Sequence, residues 1–343
     1  EPVYIDASIK EDWNNIIKAM EEIFTPIKET IAQGLVPLGE DGGGPALHAL
    51  LLVDEELAAL PLEALSMFQS TATVVRDLSL HVVSNRMKKI DLGPQDGKSP
   101  APVAFNAGSM SYFVDLRRED TAEMTNTKGR ECEPMVNMFS SQILEAASGK
   151  EFSGVLGNES SLAGEGRLKS VLSSATSLIY FGMGRPLSYI PPKLLTQTSM
   201  EDCRFALMVD KTGHEVSQRS QAQLDNHKSQ AELQLEQSYE TALLFTLRGV
   251  TTVAINQLPV VMDDNWEFLQ SVVNGLQAGG MLSEIVKGAA SAHLKSERGS
   301  PDAGGKKGKT PDPEVAEDKP YAPYRHVNPI IYGYGAMQVG NKK

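Results

Sequence analysis

SLAGEGRLKSVLSSATSLIYFGMG, residues 161–184, decides the fold. Residues 161–174 carry a helical pattern, and SLIYFGMG at 177–184 is a short, nearly continuous apolar run closed by glycine. A run of that kind predicts a strand covered on both faces. LHALLLV at 47–53, LSLHVVS at 78–84, APVAFNAG at 101–108, RFALMVD at 204–210 and GVTTVAINQL at 249–258 read the same way. Helical patterns at 135–147, 239–248 and 266–276 fall between them, each long enough to return the chain for parallel pairing. Strands alternating with helices predict an α/β sandwich. YRHVNPIIYGYGAM at 324–337 supplies a last strand of the same body.

Outward from this core the pattern changes. Ser8 with Glu11 forms a capping box, and Trp13, Ile16, Ile17, Met20, Ile23, Phe24, Ile27 and Ile31 follow at helical steps. Residues 1–46 are therefore expected to be a helical adaptor ahead of a body at 47–343. Thr25-Pro26 allows two short helices or one kinked helix, and Gly34 ends the run. Residues 217–238 are rich in Gln, Ser, Lys and Glu, with a weak stripe at Leu224, Ala231, Leu233 and Leu235. They predict a protruding polar helical insertion, with outer bounds at 214–238. Residues 295–320 hold only Ala303, Val315 and Ala316 as apolar residues and predict a mobile loop.

Composition narrows the function. The 343 residues are 41% hydrophobic, enough for a sizeable core. Thirty-two basic against 44 acidic residues give a net charge of −12, which repels phosphate backbones, so no nucleic-acid partner is expected. Cys132 and Cys203 form no CxxC pair, which argues against a disulfide framework or structural zinc and fits a reducing compartment. No run reaches membrane-helix length, and EPVYIDASIKEDW is no signal peptide, so no membrane is expected. Glu1 in place of Met leads us to expect part of a longer chain.

Motifs for small-molecule chemistry are incomplete. Gly182-x-Gly184 follows a strand, but Leu187 stands where the third glycine of a dinucleotide fingerprint belongs. Gly308-Lys309-Thr310 resembles the end of a P-loop, yet Ala303 replaces its first glycine. No cofactor is expected. Gly108-Ser109-Met110-Ser111 lacks the closing glycine of a nucleophile elbow. The histidines, at 48, 81, 214, 227, 293 and 326, make no HExxH. His48 and His81 read as core residues of strands, His214 and His227 as solvent-exposed ones. Cys203 follows Glu201-Asp202, whose charge would raise its thiol pKa. It reads as structural.

The order of these segments resembles the CHAT family, caspase-like domains associated with tetratricopeptide repeats and related to separase and the gingipains. LLLVDEELAALPLEAL at 50–65 is similar to the family's opening strand and helix start, and LSLHVVSNRMKK at 78–89 to its second strand. Residues 161–184 resemble the helix and strand that end in His-Phe-Ala-Gly-His-Gly, and RFALMVDKTG at 204–213 the strand ending in Leu-Ser-Ala-Cys-x-Thr-Gly. Residues 241–264 are similar to the following helix and strand, with Gly249 in place and Leu258 where Trp is usual, and NPIIYGYGAM at 328–337 to the last strand. The resemblance implies a three-layer α/β/α sandwich with a mostly parallel sheet.

It also places Met183 at the catalytic His and Asp210 at the nucleophilic Cys of active members. A thioether cannot relay a proton at neutral pH, and a carboxylate beside it lacks the acid that its attack would need. Gly182, Gly184, Thr212 and Gly213 persist around the lost dyad. The resemblance therefore implies a pseudopeptidase with no catalytic residue. Being acidic, Met-rich and insertion-bearing, it is similar to domains at the carboxyl end of large tetratricopeptide-repeat scaffolds of the ciliary central apparatus. That likeness implies an axonemal location, partners among other central-apparatus projection proteins, an upstream tetratricopeptide array, and indirect microtubule association. Two rivals remain at this point: a cysteine peptidase using Cys203 with His48 or His214, and a nucleotide-binding enzyme using Gly182 and Gly184.

Overall fold

The computed structural model describes residues 3–34, 48–68, 71–89, 104–106, 109–116, 135–145, 151–157, 164–213, 215–298, 328–335 and 337–340. In chain order the first elements are α1 (Val3–Gly34), β1 (His48–Leu52), α2 (Glu55–Ala58), β2 (Thr73–Asp77), α3 (Leu80–Lys89), β3 (Ala104–Asn106), β4 (Ser109–Val114), α4 (Met135–Phe139) and β5 (Glu151–Leu156). Then come α5 (Glu165–Ser174), β6 (Ser177–Phe181), α6 (Pro192–Thr196), β7 (Phe205–Val209), α7 (Glu215–Asp225), α8 (Gln230–Leu235) and α9 (Ser238–Leu247). The last are β8 (Thr252–Ile255), α10 (Met262–Ala278), β9 (Gly280–Met281), α11 (Leu282–Arg298), β10 (Ile330–Gly333) and β11 (Gln338–Gly340).

The eight-stranded main sheet has the order β1-β2-β10-β8-β7-β6-β4-β5. All its neighbours pair in parallel except β10 and β8. Two parallel blocks thus run in opposite directions and meet at that junction. β3, β11 and β9 form a separate small sheet.

Every residue of β6, β7 and β8 is buried, as their unbroken apolar sequences require. One face, through Phe181, Leu207 and Ala254, packs on Trp266, Leu269 and Val272 of α10 and on α4 and α11. The other, through Tyr180, Met208 and Val253, packs on Leu172 of α5, Leu195 of α6 and Phe245 of α9. The result is the expected α/β/α sandwich.

Several local expectations are corrected. LSLHVVS is not a strand: residues 80–89 are α3, and the strand is the preceding TVVRD. Its charged end escaped notice because each charge has a partner. Arg76, with no exposed surface, donates to Glu63 at 2.5 and 2.6 Å and to the carbonyls of Ala58 and Leu60 at 2.7 and 2.6 Å. Asp77 meets Arg86 at 3.0 Å. β1 is an edge strand and is not covered on both faces, since Leu50 and Leu52 are 46% and 43% exposed. Of 101–108, Ala104–Asn106 forms a strand of the small sheet, while SMSYFV next to it enters the main one.

α1 is one helix with Pro26 inside it, and it starts before Ser8, which is therefore interior and not a cap. Thr25 Oγ1 donates to Glu21 O at 2.6 Å beside the proline, which itself has no N–H to give. Trp13, Ile17 and Met20 are buried against Ala49, Val53, Leu62 and Phe68, so these residues of the stripe pack on the body, whereas Ile16 and Ile23 are exposed. Glu21 adds a bond from Ser66 Oγ at 3.0 Å. The polar segment after 214 is helical in α7 and α8, and α8 opens with a capping box of Ser229 and Glu232. Its side chains pair with Arg185 and Ser188 just past β6, as described below. Residues 295–298 close α11, whereas the rest of 295–320 lies outside the described residues.

Candidate functional site

β6 and β7 are adjacent and parallel, so both deliver their carboxyl ends to one edge of the sheet. The ladder continues past them: Gly182 N donates to Val209 O at 3.1 Å and Thr212 N to Met183 O at 2.9 Å. Met183 and Asp210, the two positions that the family resemblance sets at the dyad, are thereby held on neighbouring strand ends. Glycine at 182 is a packing requirement, since a Cβ there would lie 2.5 Å from Tyr180 Oη. That hydroxyl donates to Gly184 O at 3.0 Å and fixes the turn.

Asp210 has no exposed surface, and its carboxylate oxygens meet no donor at hydrogen-bonding geometry. Its main-chain oxygen accepts from Asn256 Nδ2 at 2.8 Å and Asn265 Nδ2 at 3.3 Å. Burial pushes the carboxyl up to about 7, with the charge of Lys211 acting in the opposite direction. Between about pH 4 and pH 7 the folded chain keeps a proton that the unfolded chain has released, so stability falls as pH rises through that window. In Asp210→Asn the loss of urea midpoint between pH 4.5 and 7.5 is expected to be smaller than in the parent chain; equal losses would refute this titration.

Lys211, the next residue, is a site residue the sequence reading passed over. Its φ is +56°, a left-handed conformation uncommon outside glycine. Its ammonium donates to Ser238 Oγ and to the carbonyls of Asn256 and Gln257 at 2.9 and 3.3 Å. Three acceptors for three N–H groups describe a charged lysine, although burial lowers its pKa and Asp210 works the other way. Ser238 Oγ in turn donates to Asn256 O at 2.7 Å, so its proton is directed to a carbonyl and not to Lys211. A serine–lysine nucleophile is not assembled here. The lysine ties the ends of β7 and β8 to the start of α9.

Above these strand ends lies a cavity of about 390 Å³. Met183, Arg185, Lys211 and Thr212 line it from the sheet side, Gln221 and Asp225 from α7. Arg185 was also missed. Its only signal was a charge directly after the glycine turn.

The rival sites are dispersed. Cys203 precedes β7 and is wholly buried, its Sγ donating to Phe205 O at 3.5 Å. Burial pushes the thiol up to about 12, which corrects the attribution to its acidic neighbours. A strand of about 3.3 Å per residue separates it from the cavity. His48 is exposed on edge strand β1, where Nδ1 meets Thr73 Oγ1 at 2.7 Å, and β2, β10 and β8 intervene before β7. His81 lies exposed on α3, so neither histidine is a core residue of a strand. His227 is exposed, as expected. Cys132, His214, His326 and residues 308–310 lie outside the described residues. After Gly184 the chain makes only a 3-10 turn, Pro186–Ser188, with Leu187 buried, so the helix that a dinucleotide fingerprint needs is absent at that point. Among the described residues no cluster of three His, Cys, Asp or Glu could hold a metal, and no helix is long and apolar enough to cross a membrane.

No family model matches the chain. Two crystal structures of the Saccharomyces cerevisiae separase–securin complex match it with a TM-score of 0.53 each, at 13% and 14% identity. They cover 87% and 86% of this chain and 16% of the matched chain. At such identity the likeness speaks for the fold, which is the caspase-like α/β/α sandwich. In sequence the chain is similar to Cilia- and flagella-associated protein 46 of Chlamydomonas reinhardtii, 27% identical over 327 residues. The match takes in 82% of this chain and spans 12% of that relative's length.

Proposed function

We propose that the chain is a non-catalytic caspase-like domain of a ciliary axonemal scaffold, contributing to assembly of a microtubule-attached projection of the central apparatus. The observation that carries this reading is the pair Met183 and Asp210 on the two strand ends where a proton relay and a thiolate would have to meet. Neither side chain can fill its role, and Cys203 lies buried at the opposite end of β7. The likeness to a cilia- and flagella-associated protein supports the location. Other projection proteins and an upstream tetratricopeptide array are the partners in this reading, and contact with the microtubule runs through them.

The test is genetic. In a motile ciliated cell, Met183→Ala with Asp210→Asn should leave the protein in the detergent-extracted axoneme and the beat frequency unchanged, whereas deletion of residues 47–343 should impair both. A double variant that stays folded and axonemal yet loses motility would falsify the non-catalytic reading.

A further inference from the structure

Among the described residues, the helices over the cavity are attached to the body by charge, not by apolar burial. α8 buries none of its residues, and no described side chain of α7 is buried. Arg185, just past the β6 turn, pairs through Nη2 with Asp225 and, at 3.0 Å, with Glu236. Lys228 reaches Glu236 at 2.6 Å and Asp225 at 3.4 Å. Ser188 Oγ donates to Glu236 at 2.8 Å, and Gln221 Nε2 donates to Asp225 at 2.9 Å. Two cations and two anions, 5–25% exposed, form one compact cluster. Beyond it, an exposed bond from Gln234 to Glu55 at 2.6 Å tethers α8. Beneath the helices, Thr212 Oγ1 and Arg185 Nε are buried with no hydrogen-bond partner, and Met183 is 2% exposed.

An element without buried apolar anchors opens at lower free energy than the sheet it covers. We infer that α7 and α8 are a lid over the crevice, latched by the Arg185 cluster, which opens as a unit while the sheet stays folded. Opening uncovers Met183, Thr212 and Arg185 Nε to whatever enters from outside. Removing one partner of a shielded ion pair leaves the other charge uncompensated, so the latch is the control point. Whether the crevice is catalytic does not enter this inference.

The test uses the whole chain with Asp225→Asn, which takes one anion from both cations. Two readouts are followed together: amide exchange in 215–235 and peroxide oxidation of Met183. Met208, buried within β7, and the β7 amides report the body. Lid opening predicts that both lid readouts rise about tenfold or more, equivalent to about 1.4 kcal/mol, while both body readouts stay unchanged. Lys228→Gln, which leaves the Arg185–Asp225 pair in place, should raise them less, by about threefold, and serves if the first variant does not fold. A Met183 rate that does not change overturns the proposal. So does a rise shared with Met208, which would make the helices part of one cooperative unit.

Discussion

Arg76→Met is expected to lower the melting temperature by about 6–15 °C, from a loss of about 3–5 kcal/mol. Arg76 stands on β2, one strand in from the edge of the sheet, with no exposed surface, and its fork holds both oxygens of Glu63 at 2.5 and 2.6 Å. Removing the guanidinium strands a carboxylate that is only 12% exposed, while Leu60 O keeps its bond from Leu62 N at 2.9 Å. Ala58 O keeps its bond from Gln257 at 2.8 Å. The segment at 54–68 that carries α1 is thus loosened from β2. Methionine fills the space but supplies no donor, and lysine cannot reproduce the planar fork, so Arg76→Lys should recover only part of the loss. Glu63→Gln keeps an acceptor and should cost less than Arg76→Met. Thermal unfolding followed by circular dichroism measures all three; an Arg76→Met midpoint within about 1 °C of the parent would show that this pair carries little stability.

Gly333→Ala should destabilise by about 3 kcal/mol or more. The residue ends β10 with φ +112°, a conformation side chains rarely adopt, and a Cβ would fall 2.1 Å from Arg86 Nη1 and 2.4 Å from Thr251 O. The backbone oxygen cannot give way. Arg86 can move only by leaving Asp77 at 3.0 Å and Thr246 at 2.6 Å, so the damage spreads to α3 and α9. Gly288→Ala is the contrast: it lies in α11 with nothing within 4 Å of the added methyl, and it should stabilise by up to about 1 kcal/mol. Urea midpoints of the two variants should move in opposite directions; movement of both in one direction would contradict the geometry at Gly333.

The parts of the fold that could be read from sequence are those whose strands are buried on both sides. β6, β7 and β8 announce themselves because nothing polar interrupts them. β2 did not, because Arg76 and Asp77 look like surface residues until Glu63 and Arg86 are placed against them. β4 has Ser109 and Ser111 in its apolar run, and β5 is an edge strand, so neither shows the expected period. α11 hides its stripe among Gly288, Ala289, Ala290 and Ser291. At the site, resemblance pointed to Met183 and Asp210, which lie on neighbouring strand ends. It could not lead to Lys211 or Arg185. Their importance comes from acceptors on α9, β8 and the α7–α8 segment, which no local pattern connects to them.

β10 lies between β2 and β8, so in the main sheet β1 and β2 are joined to the remaining strands only through residues 330–333. On the ribosome, at about 5–20 residues per second, the roughly 250 residues after β2 take about 12–50 s to appear. Until then the nascent β1–β2 pair has one bare edge facing the missing strand and another at β1, with Leu50 and Leu52 beside it. Over that interval the half-made chain presents two templates for unwanted pairing, a hazard that the topology builds into its synthesis.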